Sequence, residues 1–393
     1  MLTNLQPQPE DKIIALIAAF RADKRAEKID LGVGVYKDAS GVTPVMRAVK
    51  AAEKQLVAEQ TSKSYVGLTG DPKFTAAMAG LLFGDDVDMS SMAAAATPGG
   101  TGAVRLAFEL AQLLNPKTRV WVSMPTWPNH PAIVKYLGIE LKEYRYFDTE
   151  TGEVDLAGML EDLSDVREGD VVLLHGCCHN PTGANLTSAD WDQVIAKVRD
   201  TKALAMVDIA YQGFGDGLDD DAAFTRKIVS ELPEVLIAAS CSKNFGVYRE
   251  RTGILFAKVP NADLKPVAQA NLASLNRLNY SFPPDHGAKV VTMILQDDAL
   301  RADWQAELED MRQGMLDLRV MLADELRKRT NSNRFDFVAE HRGMFSRLGL
   351  SPEQVEQLRS DHAVYMIGDS RINIAGLNKT SVPILAEAIA QVL

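Results

Sequence analysis

The rhythm of apolar and polar positions changes several times along the chain. Residues 11–27 (DKIIALIAAFRADKRAE) put apolar side chains on one helical face, and 43–60 repeats that spacing through Val45, Val49, Ala52 and Leu56. Short apolar runs follow at 119–123, 140–144, 171–174, 204–207, 235–239 and 254–257, with helical patterns between them. Such alternation predicts parallel strands joined by helical crossovers, an α/β arrangement. Residues 284–329 read as almost continuous helix. The last stretch mixes strands, at 335–339 and 371–374, with helices at 352–361 and 380–392. The predicted organisation is an N-terminal arm at 1–10 containing Pro7 and Pro9, a large α/β domain at 43–310, and a smaller α+β domain built from both chain ends, 11–42 and 311–393. The N-terminal helix joins the smaller domain because it has no place in the large sheet.

Composition narrows what this architecture can serve. Of 393 residues, 46% are hydrophobic and 24% charged, which excludes a disordered or fibrous chain. A formal net charge of −11 works against nonspecific binding to nucleic acid or anionic membrane, both of which need basic surface. It leaves small anions open, because local arginines hold those. Cys177, Cys178 and Cys241 form neither a Cys-x-x-Cys pair nor an even framework, so reduced thiols are expected. The start lacks the basic stretch and apolar core of a signal peptide, and no run of about 18 apolar residues occurs. A cytoplasmic protein is the expectation.

Four segments carry candidate chemistry. The run at 235–239 ends in Ser240-Cys241-Ser242-Lys243, which puts a lysine at the C-terminal edge of a parallel sheet, where α/β ligand sites lie. An amine becomes a base or nucleophile near neutral pH only if its pKa is depressed from about 10.4 by burial or nearby cations. Arg249 and Arg251 follow closely. The run at 204–207 ends in Asp208, with Tyr211 just beyond, one βαβ repeat before Lys243, so both side chains should emerge on the same sheet edge. A buried carboxylate there wants a cation or a protonated ring nitrogen. Thr97-Pro98-Gly99-Gly100-Thr101-Gly102-Ala103 opens a helix, and its glycines and free N–H groups suit an anion. Ser240, Ser242 and Arg251 would make it a single-phosphate cup; it has neither the dinucleotide glycine spacing nor the Gly-Lys-[Ser/Thr] of a nucleotide loop. His175-Gly176-Cys177-Cys178-His179-Asn180-Pro181-Thr182-Gly183 has histidines at i and i+4, but they follow a strand. A turn projecting Asn180 into a cleft is predicted over a metal site. Trp127, between Pro125 and Pro128, is placed to stack on a planar ring. Arg277 and Arg371 sit in neutral settings and would together suit a dicarboxylate. Singly, these residues also have ordinary readings: surface lysine, helix cap, core tryptophan, salt-bridge arginines. Pro128, Pro181 and Pro283 are candidates for cis bonds.

Together and in this order the segments resemble the fold type I pyridoxal-phosphate aminotransferases, in the subgroup of aspartate and bacterial aromatic amino acid (tyrosine) aminotransferases. The resemblance runs from Asp30-Leu31-Gly32-Val33-Gly34-Val35-Tyr36-Lys37-Asp38 to Asn373-Ile374-Ala375-Gly376. The Ser240-x-Ser242-Lys243-Asn244-Phe245-Gly246…Glu250-Arg251-x-Gly253 and His175–Gly183 motifs are its most specific parts. It implies a mostly parallel seven-stranded sheet in the large, cofactor-binding domain, and pyridoxal 5′-phosphate as cofactor, with no metal. Lys243 would be the Schiff-base lysine and proton carrier, and Asp208 the partner of the ring nitrogen. Tyr211 and Asn180 would bond the phenolic oxygen, Trp127 would stack on the ring, and His130 and His175 would support Asp208. Gly100, Thr101, Ser240, Ser242 and Arg251 would hold the phosphate, with Tyr65 from a second subunit. Arg371 would clamp the substrate α-carboxylate, and Arg277, also from the second subunit, a side-chain carboxylate. Val33, Gly34 and Phe345 would line the substrate side. The resemblance implies a homodimer with shared sites and ping-pong transamination through a pyridoxamine phosphate form.

Two positions bear on the amino acid used. Ser64 and Phe282 stand where dedicated aspartate enzymes usually carry asparagine, while Val35, Lys37, Thr43 and Thr101 remain aspartate-like. Each swap removes an amide near Arg277, and Phe282 adds apolar surface. The expectation is activity on aromatic and dicarboxylic amino acids with 2-oxoglutarate or another 2-oxo acid. Strict aspartate transamination is the nearest alternative; another reaction on the same cofactor and a non-catalytic binding protein on this scaffold are remoter.

Overall fold

The computed structural model describes residues 2–7, 12–84 and 87–393. Its strands are β1 (Ile29–Asp30), β2 (Met92–Pro98), β3 (Arg119–Met124), β4 (Glu140–Arg145), β5 (Val171–His175), β6 (Leu204–Ile209), β7 (Val235–Ser240), β8 (Thr252–Lys258), β9 (Phe345–Arg347), β10 (Val364–Tyr365) and β11 (Arg371–Asn373). Seven of them form the large sheet in the order β2-β8-β7-β6-β5-β3-β4. All run parallel except β8, which is antiparallel to β2 and β7. The run at 254–257 thus breaks the parallel pattern expected of it, because the link 241–251 that separates it from β7 contains no crossover helix.

Residues alternate between two apolar layers along the central strands. Val120, Val122, Val171, Leu173 and Met206 face the helix Gly99–Leu114, while Trp121, Val172, Leu174, Val207 and Ile209 face the opposite layer. Strand β2 escapes the sequence pattern because its alanines lack the branched surface that marks strands. It is an edge strand, and Gln269 satisfies part of its open side, accepting from Ala94 N (3.0 Å) and donating to Ala94 O (2.7 Å).

The topology dictates where a ligand can sit. From β5 to β8 the sheet grows one way, and from β3 to β4 the other. The loops leaving the C-terminal ends of β3 and β5 therefore diverge and open a crevice. Register aligns the chemistry on that edge, since His175 is the Cα partner of Asp208, and Ser240 of Gly253.

Both chain ends meet beside this crevice. β1 pairs parallel with β10, and β9 pairs antiparallel with β11. The first helix, Lys12–Ala22, sets Leu16 against Ala363 and Tyr365, and Arg25 donates to the carbonyls of Ser360 (2.7 Å) and Arg359 (2.9 Å). That helix is shorter than expected, as is the second, Arg47–Glu59, whose predicted start is held extended by the Thr43 hydroxyl on Tyr36 O (2.8 Å). Of the predicted arm, Leu2–Asn4 forms one 3-10 turn, and Pro9 lies outside the described residues. The strand expected at 335–339 is instead a turn and the short helix Phe337–Glu340. Phe335 and Val338, three apart, are what the core buries, so helical rather than alternate spacing wins. The helix Asp298–Thr330 spans 33 residues without a break. Among the described residues, no helix is long and apolar enough to cross a membrane.

Candidate active site

A cleft of about 270 Å³ opens at the C-terminal edge of the large sheet. It gathers Gly34, Gly100, Thr101, Trp127, His175, Asn180, Asp208, Tyr211, Ser240, Ser242, Lys243, Arg251, Phe345 and Arg371, residues drawn from eight separate segments of the sequence. Ile13, Cys177, Ala210 and Tyr248 also line it and were not expected there. Ile13 arrives only because the first helix docks beside the cleft. Cys177 reads in sequence as one more thiol. Tyr248 had a signal, its position between Lys243 and Arg251; its hydroxyl accepts the Tyr36 N–H (3.1 Å) and ties two loops together.

One end of the cleft is an anion cup. The helix Gly99–Leu114 points its free N–H groups and positive dipole end inward. Gly99 has φ +71, and a Cβ there would sit 2.5 Å from Arg251 Nη2; a Cβ on Gly100 would lie 2.9 Å from Ser240 Cβ. Only glycine lets helix, serines and arginine approach this closely. Arg251 donates to Ser242 Oγ (3.5 Å) and Tyr248 O (3.2 Å), and no carboxylate pairs with it among the described residues.

The middle of the cleft holds Asp208 and Lys243. Asp208 Oδ2 lies 2.9 Å from His130 Nε2, Thr126 Oγ1 lies 2.9 Å from His130 Nδ1 and 3.2 Å from His175 Nε2. Asp208 can only accept when ionised, so His130 Nε2 carries a proton. The Asn180 N–H points at His175 Nδ1 (3.5 Å), so His175 carries its proton on Nε2 and donates to Thr126 Oγ1, whose own proton goes to His130 Nδ1. The chain of donors therefore points one way, toward Asp208. Burial alone would raise the Asp208 carboxyl, but the His130 bond, aided by Lys243, holds it below the usual range. Burial pulls His175 down to about 3, so it stays neutral. Lys243 Nζ sits 4.7 Å from the Tyr211 ring centre and is lowered to about 8: burial strips water from the ammonium, Asp208 offsets part of this, and Arg251 adds repulsion. Burial raises the Tyr211 phenol well above its ordinary value, so its proton remains available to donate. Asn180 Nδ2 lies 3.5 Å from the Tyr211 hydroxyl.

The far end is a carboxylate clamp. Arg371 is buried, donates to Gly32 O (2.8 Å), and lies with Cζ 4.6 Å from the Phe345 ring centre. Burial lowers its pKa. Among the described residues, Arg371 Nε and Asn180 Oδ1 are buried without hydrogen-bond partners in the protein. Val33 stands back from the cleft, its carbonyl accepting from Asn373 Nδ2 (2.7 Å).

Two expected residues do not reach the cleft of their own chain. Tyr65 is 83% exposed and stacks on Phe282 at 4.6 Å. Arg277 donates to Ser281 Oγ and lies over the Phe282 ring at 5.7 Å. The two histidines of the His-x-x-x-His spacing are committed elsewhere: His175 to Thr126, and His179 to Ser123 Oγ (2.9 Å) and Thr182 Oγ1 (2.8 Å). Among the described residues the cis bonds precede Pro125 and Pro181; Pro128 and Pro283, also expected as candidates, are not cis. The isomer is set by tertiary contacts that the local sequence does not encode.

Comparison with known proteins agrees with this geometry. Residues 26–389 match the family model "Aminotransferase class I and II". The chain is 59% identical to the aromatic-amino-acid aminotransferase of Paracoccus denitrificans and 42% identical to the aspartate aminotransferase of Escherichia coli, in each case over 100% of both chains. It also superposes with a TM-score of 0.98 on the aromatic-amino-acid aminotransferase of Burkholderia pseudomallei covalently bound to pyridoxal phosphate, at 37% identity, over 100% of this chain and 99% of that one.

Proposed function

The chain belongs to the class I and II aminotransferases, and we propose that it moves the amino group between an aromatic or dicarboxylic L-amino acid and 2-oxoglutarate or another 2-oxo acid. The observation that carries this reading is the meeting of Lys243, Asp208, the anion cup and Arg371 in one cleft. Pyridoxal 5′-phosphate is the cofactor, and the residues present fit it. The cup has one helix N-terminus, two serines and an unpaired arginine for a phosphate. Asp208 stands ready for a ring nitrogen, and the Asn180 amide N–H and the protonated Tyr211 lie side by side as donors in the same space. Bound there, the cofactor supplies a carbonyl for the amine and an electron sink for the Cα–H bond electrons.

The protein's own contribution is binding, proton placement and orientation. Gly100, Thr101, Ser240, Ser242 and Arg251 grip the phosphate, and Trp127 covers the ring. Asp208, fixed by His130 and Thr126, keeps a proton on the ring nitrogen. Tyr211 and Asn180 donate to the phenolic oxygen. Arg371 holds the α-carboxylate against Phe345 and Gly34, which turns the Cα–H bond toward Lys243. Lys243 Nζ, as the neutral amine, would take the proton from the substrate Cα and return it to the former carbonyl carbon of the cofactor, two bonds away across the nitrogen. The two half-reactions use the same groups, so ping-pong kinetics are expected.

Lys243 leads to a pH prediction. Only the neutral amine attacks an aldehyde, and its fraction falls roughly tenfold per pH unit below the pKa. Capture of pyridoxal phosphate by apoenzyme should therefore quicken up to about pH 8 and level off above it. The checking measurement is the growth of visible absorbance after mixing. An unperturbed lysine would keep accelerating to about pH 10.4. No yellow chromophore, and no adduct fixed on Lys243 by borohydride, would remove the whole reading.

Substrate choice rests on Phe282. It stacks on Tyr65 and underlies Arg277, which pairs with no carboxylate among the described residues. We place Tyr65 and Arg277 in the cleft of a second copy, making the enzyme a homodimer in the cytoplasm with each site completed by its partner. The division into a large domain at 43–310 and a small one from 11–42 and 311–393 belongs to the same reading. A site built around a fixed charge partner rejects neutral analogues by about 10⁴-fold or more. Here kcat/KM for phenylalanine and tyrosine with 2-oxoglutarate should lie within roughly a hundredfold of that for aspartate. Phenylalanine reacting thousands of times more slowly would return the reading to strict aspartate transamination.

A further inference from the structure

Arg319 sits on the helix Asp298–Thr330 and is wholly buried, at 0% exposure. No carboxylate compensates it among the described residues, and burial pulls its pKa down to about 9. Removing such a cation from water is costly, so its hydrogen bonds must hold something in place. Nη1 donates to Val338 O (3.1 Å) and Ser346 Oγ (2.7 Å), and Nη2 to Gly343 O and Phe345 O (both 2.7 Å). One planar fork thus binds four acceptors within residues 338–346. Ser346 Oγ, as an acceptor of Arg319, can give its proton to His341 Nδ1 (3.1 Å), leaving His341 Nε2 to donate to Gly152 O (2.8 Å).

The segment that this fork organises carries the wall of the substrate side. Phe345 lies against Tyr211 at 6.0 Å and under Arg371 at 4.6 Å, and a Cβ on Gly34 would come within 2.8 Å of its ring. β9 also sets the register of β11, pairing Phe345 with Asn373 and Arg347 with Arg371. We propose that Arg319 is a positioning residue for substrate binding, which fixes β9 so that Phe345 and Arg371 present one rigid seat to the α-carboxylate. This rests on Arg371 being the carboxylate clamp.

The test compares holoenzymes of Arg319→Met, Arg319→Lys and Ser346→Ala with Leu322→Ala, a buried apolar site on the same helix whose side chain takes no part in these hydrogen bonds. Melting temperature, KM and kcat for phenylalanine, and binding of 3-phenylpropanoate, which has no amino group to transfer, are measured. For Arg319→Met, KM and the dissociation constant should rise about tenfold or more, with kcat at saturation changed less than about threefold. Arg319→Lys, with one point donor in place of a fork, should fall between this variant and the parent. Leu322→Ala should lower the melting temperature and leave KM alone. Unchanged KM in Arg319→Met, or an equal rise in Leu322→Ala, overturns the proposal. If Arg319→Met does not fold, Arg319→Lys and Ser346→Ala decide: a rise of about threefold in KM supports it, and parental KM in both refutes it. Arg371→Lys separates the two ideas. If its KM stays parental, the clamp assignment fails; if its KM rises while the Arg319 variants bind normally, only the present inference falls.

Discussion

Lys243→Ala should bind pyridoxal phosphate and yet lose transamination by about 10⁴-fold or more, the full span that a positioned proton carrier contributes. Binding survives because the anion cup and the residues around the ring are separate from the lysine: the helix N-terminus, Ser240, Ser242 and Arg251 lie at one end of the cleft, and Asp208 is anchored by His130. Catalysis does not, because none of the described residues lining the cleft is placed to act as a replacement base. Tyr211 is held protonated by burial, His175 is neutral with Nε2 committed to Thr126, and Asp208 is turned to His130. The check is a single turnover with excess enzyme, read by the visible spectrum, beside equilibrium binding of the cofactor. Turnover within about a hundredfold of the parent would show that another group moves the proton, and would end the role given to Lys243.

How far the sequence reached depended on whether a feature is local. Strand ends followed by Asp208 or Lys243 are local, and β6 and β7 placed both on one edge as the run-and-gap pattern predicts. The glycine-rich helix start is local too, since Gly99 holds φ +71, a conformation that glycine takes most readily, although the group a Cβ there would strike is the distant Arg251. What escaped depends on partners far along the chain. The alanines of β2 become a strand only beside β8 and Gln269. The direction of β8 follows from the helix-free link 241–251, and Ile13 reaches the cleft because its helix packs Leu16 against Ala363 and Tyr365. At 335–339, alternating apolar residues matched a strand, but the core took Phe335 and Val338 instead. Arg319 is the clearest case. In sequence it is one cation among many on a polar-looking helix, and only the fold shows that water never meets it.

Asp208→Asn should reduce kcat by roughly 10³–10⁴-fold while leaving the cofactor bound, the scale seen when an isosteric amide reverses the direction of one catalytic hydrogen bond. The carboxylate accepts from His130 Nε2 and has only acceptors to offer a ring nitrogen, which must then carry the proton. An amide whose oxygen keeps the His130 bond turns its NH₂ toward the ring, so the nitrogen becomes an acceptor and loses its proton. The ring then draws electrons poorly, and proton removal from Cα slows. The primary isotope effect on kcat with α-deuterated substrate should accordingly grow in the variant. The pH profile separates this role from that of Lys243. The folded Asp208 pKa lies below its ordinary value of 3.8, so its charge is complete above that value and is lost only as pH falls through the lower, folded one. An acid limb between about pH 5 and 7 therefore cannot come from Asp208 and should persist, at lower amplitude, in Asp208→Asn. Disappearance of that limb in the variant, or a loss of kcat under about tenfold, would show that Asp208 does not hold the ring proton.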